Sequence, residues 1–402
     1  MNSRRVVILL ENLPYPQDRR VRLEAETLRD AGYEVTVLAP AAPQQSAQEV
    51  VRGVSVRRYA RGPEGGGRRG YLREYAHAWR HLGALVRRLR GERPIDVLHA
   101  CSPPDLFFPF AWWLRRDGTR FVFDHHDLSP ELFLAKGGTV RSPLYWALRQ
   151  AERSSFHAAD AVLSSNEPMA DVARERGGVA PDRVFVVRTG LDDARLEPVE
   201  PAVASRRAAR YLVAYVGYMD RQDGVEYVLE AARHILHERQ RADVRFLLIG
   251  DGPHRAKLEQ TVSAWGLAPV VEFTGYVQEE RRLAGLLTAS DVCVTPDPVN
   301  AFNRGCTMIK VLDYMAAGRP QVAFGLPETQ ALAGEAVLIV EANSGSALGE
   351  GILRLLDRPE LRRRMEGVAR ERARDLLLWR HSVPRLLAAY QCALGARPRP
   401  AA

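Results

Sequence analysis

The chain has 402 residues, of which 46% are hydrophobic, and its formal net charge is +8 at pH 7. This length exceeds one ordinary domain core and predicts two domains, and the hydrophobic share excludes a disordered or fibrous chain. The basic residues are almost all arginine, with lysine only at Lys136, Lys257 and Lys310, so a single arginine carries little functional information.

The cysteines and apolar segments exclude several classes of protein. Scattered without a C-x-x-C spacing, the cysteines indicate neither a disulfide framework nor a zinc site. They are Cys101, Cys293, Cys306 and Cys392. The longest apolar run, residues 106–114, is well short of the roughly 20 residues that span a bilayer, and no signal peptide is visible. We therefore expect a soluble cytoplasmic protein and leave a peripheral position at the inner membrane face open.

Strands and helices alternate through the first half of the chain. RVVILLE (5–11) is a predicted strand, a helix follows from Arg20 to Asp30, and EVTVLAP (34–40) is the next strand, so these segments form a βαβ unit. Further strands are predicted at 55–60, 96–100, 121–126, 161–165 and 183–190, with helices at 71–90, 111–116 and 143–157. Such alternation predicts a parallel sheet with helices on both faces.

The alternation restarts after a segment with two prolines, residues 193–208, which we interpret as a linker. Strands are predicted at 212–219, 244–250, 270–277, 291–297, 320–324 and 336–342, with helices at 226–239, 282–290 and within 344–395. We therefore expect domains at 1–195 and 209–378, and a C-terminal helix in 379–402 that packs back toward the first domain. Ligands of such sheets bind beyond the carboxyl ends of the strands, so the cleft between two facing domains is the expected site.

An ordered set of motifs resembles one family. The motifs are PYPQDRRVRLEAETLRDAGYEVTVLAP (14–40), DHHDLSPELF (124–133), VGYMDRQDGVEYVLEAA (216–232), LIGDGP (248–253), VEFTGYV (271–277) and TMIKVLDYMAAGRPQVAF (307–324). Over nearly the whole chain they resemble family-4 glycosyltransferases of the GT-B fold, of the type that transfers polysaccharide or O-antigen sugars. The resemblance implies two Rossmann-like domains facing across a cleft, with the donor nucleotide-sugar on the C-terminal domain and the acceptor on the N-terminal one.

The segment GCTMIKVLD (305–313) carries the predicted donor site. A nucleoside diphosphate leaving group is stabilised by cations, backbone N–H groups and helix N-termini. Gly305, Cys306 and Thr307 are predicted to form a turn into a helix, with Thr307 as its N-cap. Lys310 is then placed to reach a phosphate, and Asp313 to accept hydrogen bonds from the ribose hydroxyls. A surface ion pair between Lys310 and Asp313 is the alternative.

Two departures from the family concern the donor. The family has two glutamates separated by seven residues, and the first of these positions falls on Gly305, so the contacts to the sugar are unassigned. The family also commonly has an arginine directly after the position of Gly217 and a lysine a few residues later, both for the pyrophosphate. Tyr218 and Asp223 occupy those positions here. Arg221 is either a substitute cation or an ordinary surface arginine.

For two further candidate donor-binding positions, an ordinary structural role is the alternative to nucleotide binding. Gly250 begins GDGP, which alone is more typical of a tight turn than of a phosphate cradle, because the third glycine of a dinucleotide fingerprint is missing. The resemblance places Gly250 near the nucleotide. It also implies that backbone groups at Val277 read the base, whereas an ordinary strand end fits the sequence equally well.

The predicted catalytic residues lie in the first half. His126 and Asp127 follow a predicted strand, and the family resemblance places a histidine at the position of His126 beside the donor sugar and the acceptor. His125 is the second choice. A nucleophilic serine in a strand-to-helix elbow is absent, so a hydrolase triad is not indicated.

The first helix and a later basic helix are candidates for acceptor and surface contacts. Asp18, Arg19 and Arg20 start the first helix, where the resemblance implies acceptor contact and a solvated arginine surface is the alternative. The segment 68–94 is basic and amphipathic, which is typical of a half-buried helix with a solvated face and also compatible with a membrane surface.

Together these features predict a glycosyltransferase that uses no cofactor, and the family resemblance implies that it is retaining and metal-independent. The donor is expected to be a UDP-sugar and the acceptor a glycan, a lipid-linked molecule or a small molecule. Within the fold, a sugar-nucleotide epimerase or a pseudo-glycosyltransferase is the alternative. From another class, the net charge of +8 is compatible with binding to nucleic acid or an anionic membrane. Basic patches interleaved with aromatic residues are missing, so nucleic acid is not expected as a partner.

Overall fold

The structure, a computed structural model, describes residues 3–62, 67–202 and 209–395. The chain divides into two compact units: unit 1 is Met1–Thr189 with Ser382–Ala402, and unit 2 is Gly190–His381. This division precedes the proline-containing segment that we interpreted as the linker. The physical reason is backbone pairing inside unit 2, since the N–H of Leu191 donates to the carbonyl of Leu377 at 2.8 Å and the N–H of Trp379 donates to that of Leu191 at 2.9 Å.

Unit 1 contains an eight-stranded sheet. Its strands are β1 (Arg5–Leu9), β2 (Glu34–Pro40), β3 (Gln48–Val51), β4 (Val54–Tyr59), β5 (Val97–Cys101), β6 (Arg120–His125), β7 (Ala161–Ser164) and β8 (Val184–Val186). The order is β3-β4-β2-β1-β5-β6-β7-β8, and every pair is parallel except β3 with β4. Because the chain adds strands first on one side of β1 and then on the other, the topological switch lies between β1 and β5.

Helices pack on the sheet of unit 1. They are α1 (Arg19–Asp30), α2 (Gly67–Glu92), α3 (Phe108–Leu114), α4 (Ser129–Ala135), α5 (Pro143–Ala158), α6 (Glu167–Asp171) and, from the carboxyl end of the chain, α15 (Val383–Ala393). The N-terminus of α1 is capped by Asp18, whose side chain accepts a hydrogen bond from the N–H of Val21 at 2.9 Å. The buried residues of α15 include Leu386, Ala389 and Tyr390, so this helix is part of the unit 1 core.

Unit 2 contains a six-stranded parallel sheet. Its strands are β9 (Tyr211–Val216), β10 (Val244–Ile249), β11 (Val271–Gly275), β12 (Val292–Thr295), β13 (Gln321–Phe324) and β14 (Val337–Val340). The order is β11-β10-β9-β12-β13-β14. Numbered within the unit, this is the 3-2-1-4-5-6 order of the Rossmann fold, and its switch point lies between β9 and β12. The prediction of two doubly wound α/β sheets is confirmed.

The helices of unit 2 cover both faces of its sheet. They are α7 (Val225–Arg233), α8 (Arg255–Ala264), α9 (Glu280–Thr288), α10 (Ala301–Gly305), α11 (Ile309–Ala316), α12 (Pro327–Ala333), α13 (Gly345–Leu356) and α14 (Pro359–Asp375). One core cluster packs the sheet against α7, α8 and α13, and another packs it against α9 and Tyr314 of α11. Among the described residues of both units, no helix is both long and apolar enough to cross a membrane.

Candidate active site

Three elements of unit 2 meet at its topological switch point. Gly217 directly follows β9, Asp297 lies two residues beyond the end of β12, and Lys310 lies in the first turn of α11. Because β9 and β12 are neighbours in the sheet, their carboxyl ends open onto the same place. This is the position at which doubly wound sheets bind their ligands, and it is the structural reason for considering these residues together.

Lys310 is held by Asp297. Its Nζ lies 2.7 Å and 2.8 Å from the two carboxylate oxygens, and 5.1 Å from the centroid of the Tyr215 ring. Lys310 is 8% exposed and Asp297 is 1% exposed, so this is a buried ion pair. Lys310 was predicted from the sequence, whereas Asp297 was not. The sequence feature that could have indicated Asp297 is an acidic residue just after a strand of apolar and small residues, at the predicted carboxyl edge of the sheet.

Gly217 makes room for this lysine. A Cβ atom at this position would lie 2.6 Å from the Tyr215 hydroxyl and 3.1 Å from Cε of Lys310. Asp223, which stands where the family commonly has a lysine, adds a second acid. Burial and the negative charge of Asp297 raise the pKa of Asp223 to about 7 against the opposing effect of Lys310. Near neutral pH, Asp223 therefore carries only part of its negative charge.

Asp313 and Lys310 take different partners although they lie three residues apart on α11. Oδ1 of Asp313 lies 3.3 Å from Nη1 of Arg195, and Nη2 of that arginine lies 3.1 Å from the carboxylate of Glu280. Asp313 is 8% exposed. The alternative of a Lys310–Asp313 surface pair is therefore not what the structure contains. Arg195 was not anticipated, because it lies in the stretch that we interpreted as a linker.

The segment 305–307 connects two helices. Gly305 ends α10, and the N–H of Cys306 donates to the carbonyl of Asn303 at 3.2 Å, so that amide is used inside the fold. The prediction that Thr307 caps the following helix is wrong. Helix α11 begins at Ile309, which places Met308 at the N-cap position, and no side chain caps it.

The remaining donor candidates lie on loops beside the sheet. Gly250 has φ of +133°, donates its N–H to the carbonyl of Gly275 at 3.0 Å, and would place a Cβ atom only 1.9 Å from the carbonyl oxygen of Gly217. The close approach of the two backbones therefore requires this glycine, as expected for a tight turn. Arg221 lies exposed on a 3-10 turn, and Val277 is half-buried against the unit 2 core.

A buried ion pair lies at the centre of unit 1. The guanidinium of Arg20 contacts both carboxylate oxygens of Asp124, with Nε to Oδ2 at 2.9 Å and Nη2 to Oδ1 at 2.6 Å. The same guanidinium donates to the carbonyl of Val187 at 2.5 Å and lies 3.2 Å from the carboxylate of Glu24. All of these contacts lie within unit 1, which favours a positioning role for Arg20 over direct contact with an acceptor.

His126 lies beside this ion pair. Its Nδ1 is 3.2 Å from Oδ2 of Asp124, and its backbone N–H and that of Asp127 donate to Oγ of Ser102 at 3.0 Å and 3.2 Å. Burial opposes the charged imidazolium, but the charge of Asp124 and the hydrogen bond to it raise the pKa of His126 to about 9. The imidazole is therefore protonated near neutral pH, with Nδ1 donating to Asp124. Burial raises the pKa of Asp127 above its ordinary value.

The other residues predicted in the first half are also placed by the structure. His125 is fully buried between aromatic rings, 4.9 Å from Phe156 by centroids, with Nε2 3.6 Å from the Glu152 carboxylate. Asp18 is the N-cap of α1, and Arg19 is half-buried. Of the residues predicted in the first half, the structure brings together Arg20 and His126 on one carboxylate, and it places His125 in the interior.

Most of the polar network around Asp124 was not predicted from the sequence. His99 of β5 lies with Nδ1 2.7 Å from the Tyr390 hydroxyl and with Nε2 3.7 Å from Glu24 and 3.8 Å from Asp124. Burial is the largest cause that raises the pKa of Glu24 to about 8. The signal that could have found these residues is a charged or imidazole side chain inside a strand covered on both faces, as in VLHAC and FVFDH.

Three donor groups of this network are close enough to consider a metal ion. The side-chain donor atoms of His99, Cys101 and Asp124 lie within 4.8 Å of one another. Asp124 is already neutralised by the guanidinium of Arg20, and burial raises the pKa of the Cys101 thiol well above its usual value. To bind a metal ion, Cys101 would have to lose its proton and Asp124 would have to be free of Arg20, whose fixed positive charge would repel the ion. These residues therefore fit an ion-pair network better than a cation site.

The protonated state of His126 predicts a pH-dependent contribution to stability. Because folding raises its pKa from 6.5 to about 9, this contribution is complete below pH 6.5 and is lost as the pH rises to about 9. In urea unfolding, the difference between wild type and His126→Gln is expected to be largest near pH 6 and to shrink toward pH 9. A difference that stays constant over this range would contradict the assignment.

Comparison with known proteins places the chain in a family. A family model described as "Glycosyl transferase 4-like domain" matches residues 17–190, and one described as "Glycosyl transferases group 1" matches residues 210–358. The chain belongs to the family-4 group of glycosyltransferases. The predicted GT-B fold is confirmed by solved structures of this class. Sucrose-phosphate synthase from Thermosynechococcus elongatus is similar with a TM-score of 0.77 and 21% identity over 96% of this chain and 98% of that one.

Two other known proteins are also similar to the chain. The Anabaena protein HepE, solved in complex with UDP and glucose, is similar with a TM-score of 0.74 and 15% identity, over 96% of this chain and 99% of that one. Alpha-D-kanosaminyltransferase from Streptomyces kanamyceticus is 30% identical over 223 residues, which are 54% of this chain and 56% of that protein. The alignment therefore spans little more than half of this curated relative.

Proposed function

We propose that this glycosyltransferase-family chain transfers a sugar from a nucleotide-sugar to an acceptor hydroxyl. The observation that carries the proposal is the buried lysine at the switch point of the unit 2 sheet, where Lys310 and Asp297 lie beside Gly217. Nucleotides bind at this point in doubly wound folds, and a lysine there can compensate the charge of a diphosphate. A uridine donor is proposed because HepE, which shares the fold, was solved with UDP and glucose.

In this proposal, different donor-site residues bind the phosphates and the ribose. Asp297 holds the ammonium of Lys310 in one place, so a diphosphate would meet a charge that is already positioned and dehydrated. Asp313 offers the carboxylate for the ribose hydroxyls, and Arg195 fixes the orientation of that carboxylate from one side. The side chain that selects the sugar is not among these residues, because Gly305 contributes none.

In the proposed reaction, the bond between the anomeric carbon and the diphosphate oxygen breaks while the acceptor oxygen forms a bond to the same carbon. The leaving diphosphate takes the acceptor proton, and the sugar is transferred on the same face, with retention. Neither His126 nor Asp124 of unit 1 is suited to act as a general base, which is compatible with this proton path. His126 is protonated near neutral pH, so it is suited to donate a hydrogen bond and not to act as a general base. Asp124 is bound to Arg20 and is not free to accept a proton.

Asp313→Asn tests the nucleotide site. The substitution keeps the shape of the side chain but removes the negative charge that strengthens the hydrogen bonds accepted from the ribose hydroxyls. UDP binding measured by calorimetry is therefore expected to weaken by about tenfold or more. Arg195 keeps its contact to Glu280, which limits the effect on the fold. The control is Asp375→Asn, an exposed aspartate at the end of α14. Equal UDP affinity in Asp313→Asn and wild type would remove the ribose assignment.

Incubation with a UDP-sugar alone separates this proposal from an epimerase on the same fold. An epimerase converts the donor without an acceptor, whereas a transferase leaves the sugar configuration unchanged and releases UDP only as fast as water replaces the acceptor. Nuclear magnetic resonance of the sugar region identifies a new epimer directly. Its formation would replace the transferase proposal, and its absence together with slow UDP release would support transfer.

A further inference from the structure

The turn between β9 and α7 brings an acidic side chain to the switch point of the unit 2 sheet. Asp223 ends the 3-10 turn that follows β9, and its Oδ2 accepts a hydrogen bond from the N–H of Asp220 at 3.2 Å. Its Oδ1 accepts no hydrogen bond from a residue that the structure describes. Asp223 is half-buried, so its carboxyl group is accessible to a ligand bound at the carboxyl end of β9.

The backbone of this turn lies against the loop that carries Asp297. A Cβ atom on Gly224, the residue after Asp223, would lie 2.3 Å from the carbonyl oxygen of Pro296. Pro296 directly precedes Asp297 in the chain. The two acidic residues are therefore attached to backbones in direct contact, one after β9 and one after β12.

Asn303 of α10 joins the same two segments. Its side-chain amide donates to the carbonyl of Gln222 at 3.1 Å and to that of Pro298 at 2.8 Å. Asn303 is 2% exposed, so both hydrogen bonds are shielded from water. The turn that carries Asp223 is therefore held at a fixed spacing from the loop that carries Asp297.

The titratable and charged groups near Asp223 come from its own turn and from four neighbouring elements. They are Asp220 and Arg221 of the turn, Tyr215 of β9, Glu226 of α7, Asp297 of the loop after β12 and Lys310 of α11. Lys310 and Asp297 compensate each other's charge, so an ionised Asp223 adds a negative charge that this ion pair does not neutralise. Burial raises the pKa of Tyr215 well above its ordinary value, so the phenol is neutral. Burial and the charge of Asp297 raise the pKa of Asp223 to about 7, against the opposing effect of Lys310.

We propose that Asp223 takes up a proton when the diphosphate of the donor binds, and that its neutral carboxyl group then donates a hydrogen bond to a phosphate oxygen. This role of Asp223 rests on the proposed function, because it concerns the same nucleotide site. A diphosphate brings several negative charges to the switch point, and an ionised carboxylate beside them would repel them. A protonated carboxyl group removes this repulsion and offers an O–H donor. The proton comes from the solvent, so nucleotide binding is coupled to proton uptake.

This coupling fixes the direction of the pH dependence. In the unliganded protein Asp223 titrates at about pH 7, and the charge of a bound diphosphate raises its pKa further. Below that pH the carboxyl group already carries its proton, and binding takes up none at this position. Above it, binding requires one proton, and the affinity for UDP falls by up to about tenfold per pH unit.

Asp223→Asn is the matched variant, because asparagine keeps the shape of the side chain and an acceptor for the N–H of Asp220 but does not ionise. Calorimetry of UDP binding in buffers with different enthalpies of ionisation counts the protons taken up. At about pH 8, wild type is expected to take up about half to one proton more than Asp223→Asn, and the variant should bind UDP about tenfold more tightly than wild type. Asp375→Asn, which changes an exposed aspartate of α14, is expected to behave as wild type.

The comparison of wild type with Asp223→Asn cancels the titration of UDP itself, whose terminal phosphate has a pKa of about 6. A second measurement needs no variant, since proton uptake by wild type should increase as the pH rises from about 6.5 to about 8. A purely structural role of Asp223 in its turn would lower the urea midpoint of Asp223→Asn and leave the number of protons unchanged.

The outcomes separate this role of Asp223 from the proposed function. If wild type binds UDP but takes up no more protons than Asp223→Asn, the proton-uptake proposal is overturned and the nucleotide site stands. Weaker UDP binding by Asp223→Asn than by wild type at about pH 8 would also overturn it, because the ionised carboxylate would then be the favourable form. If wild type binds no UDP at any pH, the proposed function fails and the role of Asp223 fails with it.

Discussion

Replacing Lys310 with methionine is expected to lower the free energy of unfolding by about 3–5 kcal/mol and to abolish measurable UDP binding. The stability effect arises because the Asp297 carboxylate, which is 1% exposed, is left buried without its partner. The binding effect arises because the positive charge at the switch point is removed. Urea unfolding and UDP calorimetry measure the two quantities separately. The matched control is Lys257→Met, which changes an exposed lysine of α8 and is expected to alter stability by less than about 0.5 kcal/mol.

A double substitution separates the structural and functional roles of this pair. Lys310→Met combined with Asp297→Asn leaves neither a cation nor a buried carboxylate, so most of the lost stability is expected to return. UDP binding should not return, because the lysine is still missing. A double variant no more stable than Lys310→Met would contradict the ion-pair account. UDP affinity equal to wild type in either variant would exclude Lys310 as a phosphate contact.

Replacing Arg20 with methionine is expected to destabilise the protein by about 3–5 kcal/mol. The substitution leaves the buried carboxylate of Asp124 without the guanidinium that contacts both of its oxygens, and it leaves the carbonyl of Val187 without its donor. Because Arg20 joins α1, β6 and the segment after β8, the loss is expected to appear as a lower urea midpoint for unit 1.

The control for Arg20 lies on the same helix. Arg29 forms its ion pair with Asp30 at the exposed end of α1, and such surface pairs contribute about 0–1 kcal/mol. Arg29→Met should therefore change the urea midpoint far less than Arg20→Met. If the two variants lose similar stability, the buried network does not hold unit 1 together as the distances indicate.

The alternation of elements was predictable, because apolar strands and amphipathic helices leave a local pattern. Strand β2 coincides with the predicted 34–40, and α5 with the predicted 143–157 to within one residue. Strand β3 was missed because QEVV is short and mostly exposed at the sheet edge, so it has no buried face to reveal it. The start of α11 was misplaced because Thr307 is a good capping residue that the chain does not use.

The partners of the site residues were not predictable, because they are distant in sequence. Arg20 meets Asp124 across 104 residues, and Asp313 meets Arg195 across 118. A single sequence indicates which elements carry these residues, but the pairing depends on the sheet order that brings the elements together. The pairing of Lys310 was not predicted either, although its partner Asp297 is only 13 residues away, because Asp297 lies on the loop after β12 and Lys310 lies in α11. Polar residues in buried strands, such as Asp124 and His99, are the pattern that would have indicated the unit 1 network.

The central claim is that unit 2 binds the nucleotide of a nucleotide-sugar. Calorimetry of the wild-type protein against UDP, GDP, ADP and dTDP tests it most directly, with Asp375→Asn as a folded reference and Asp313→Asn as the site variant. Saturable binding of UDP, weakened in Asp313→Asn and unchanged in Asp375→Asn, is the predicted result. Binding of none of the four nucleotides to a protein that unfolds cooperatively would contradict the account.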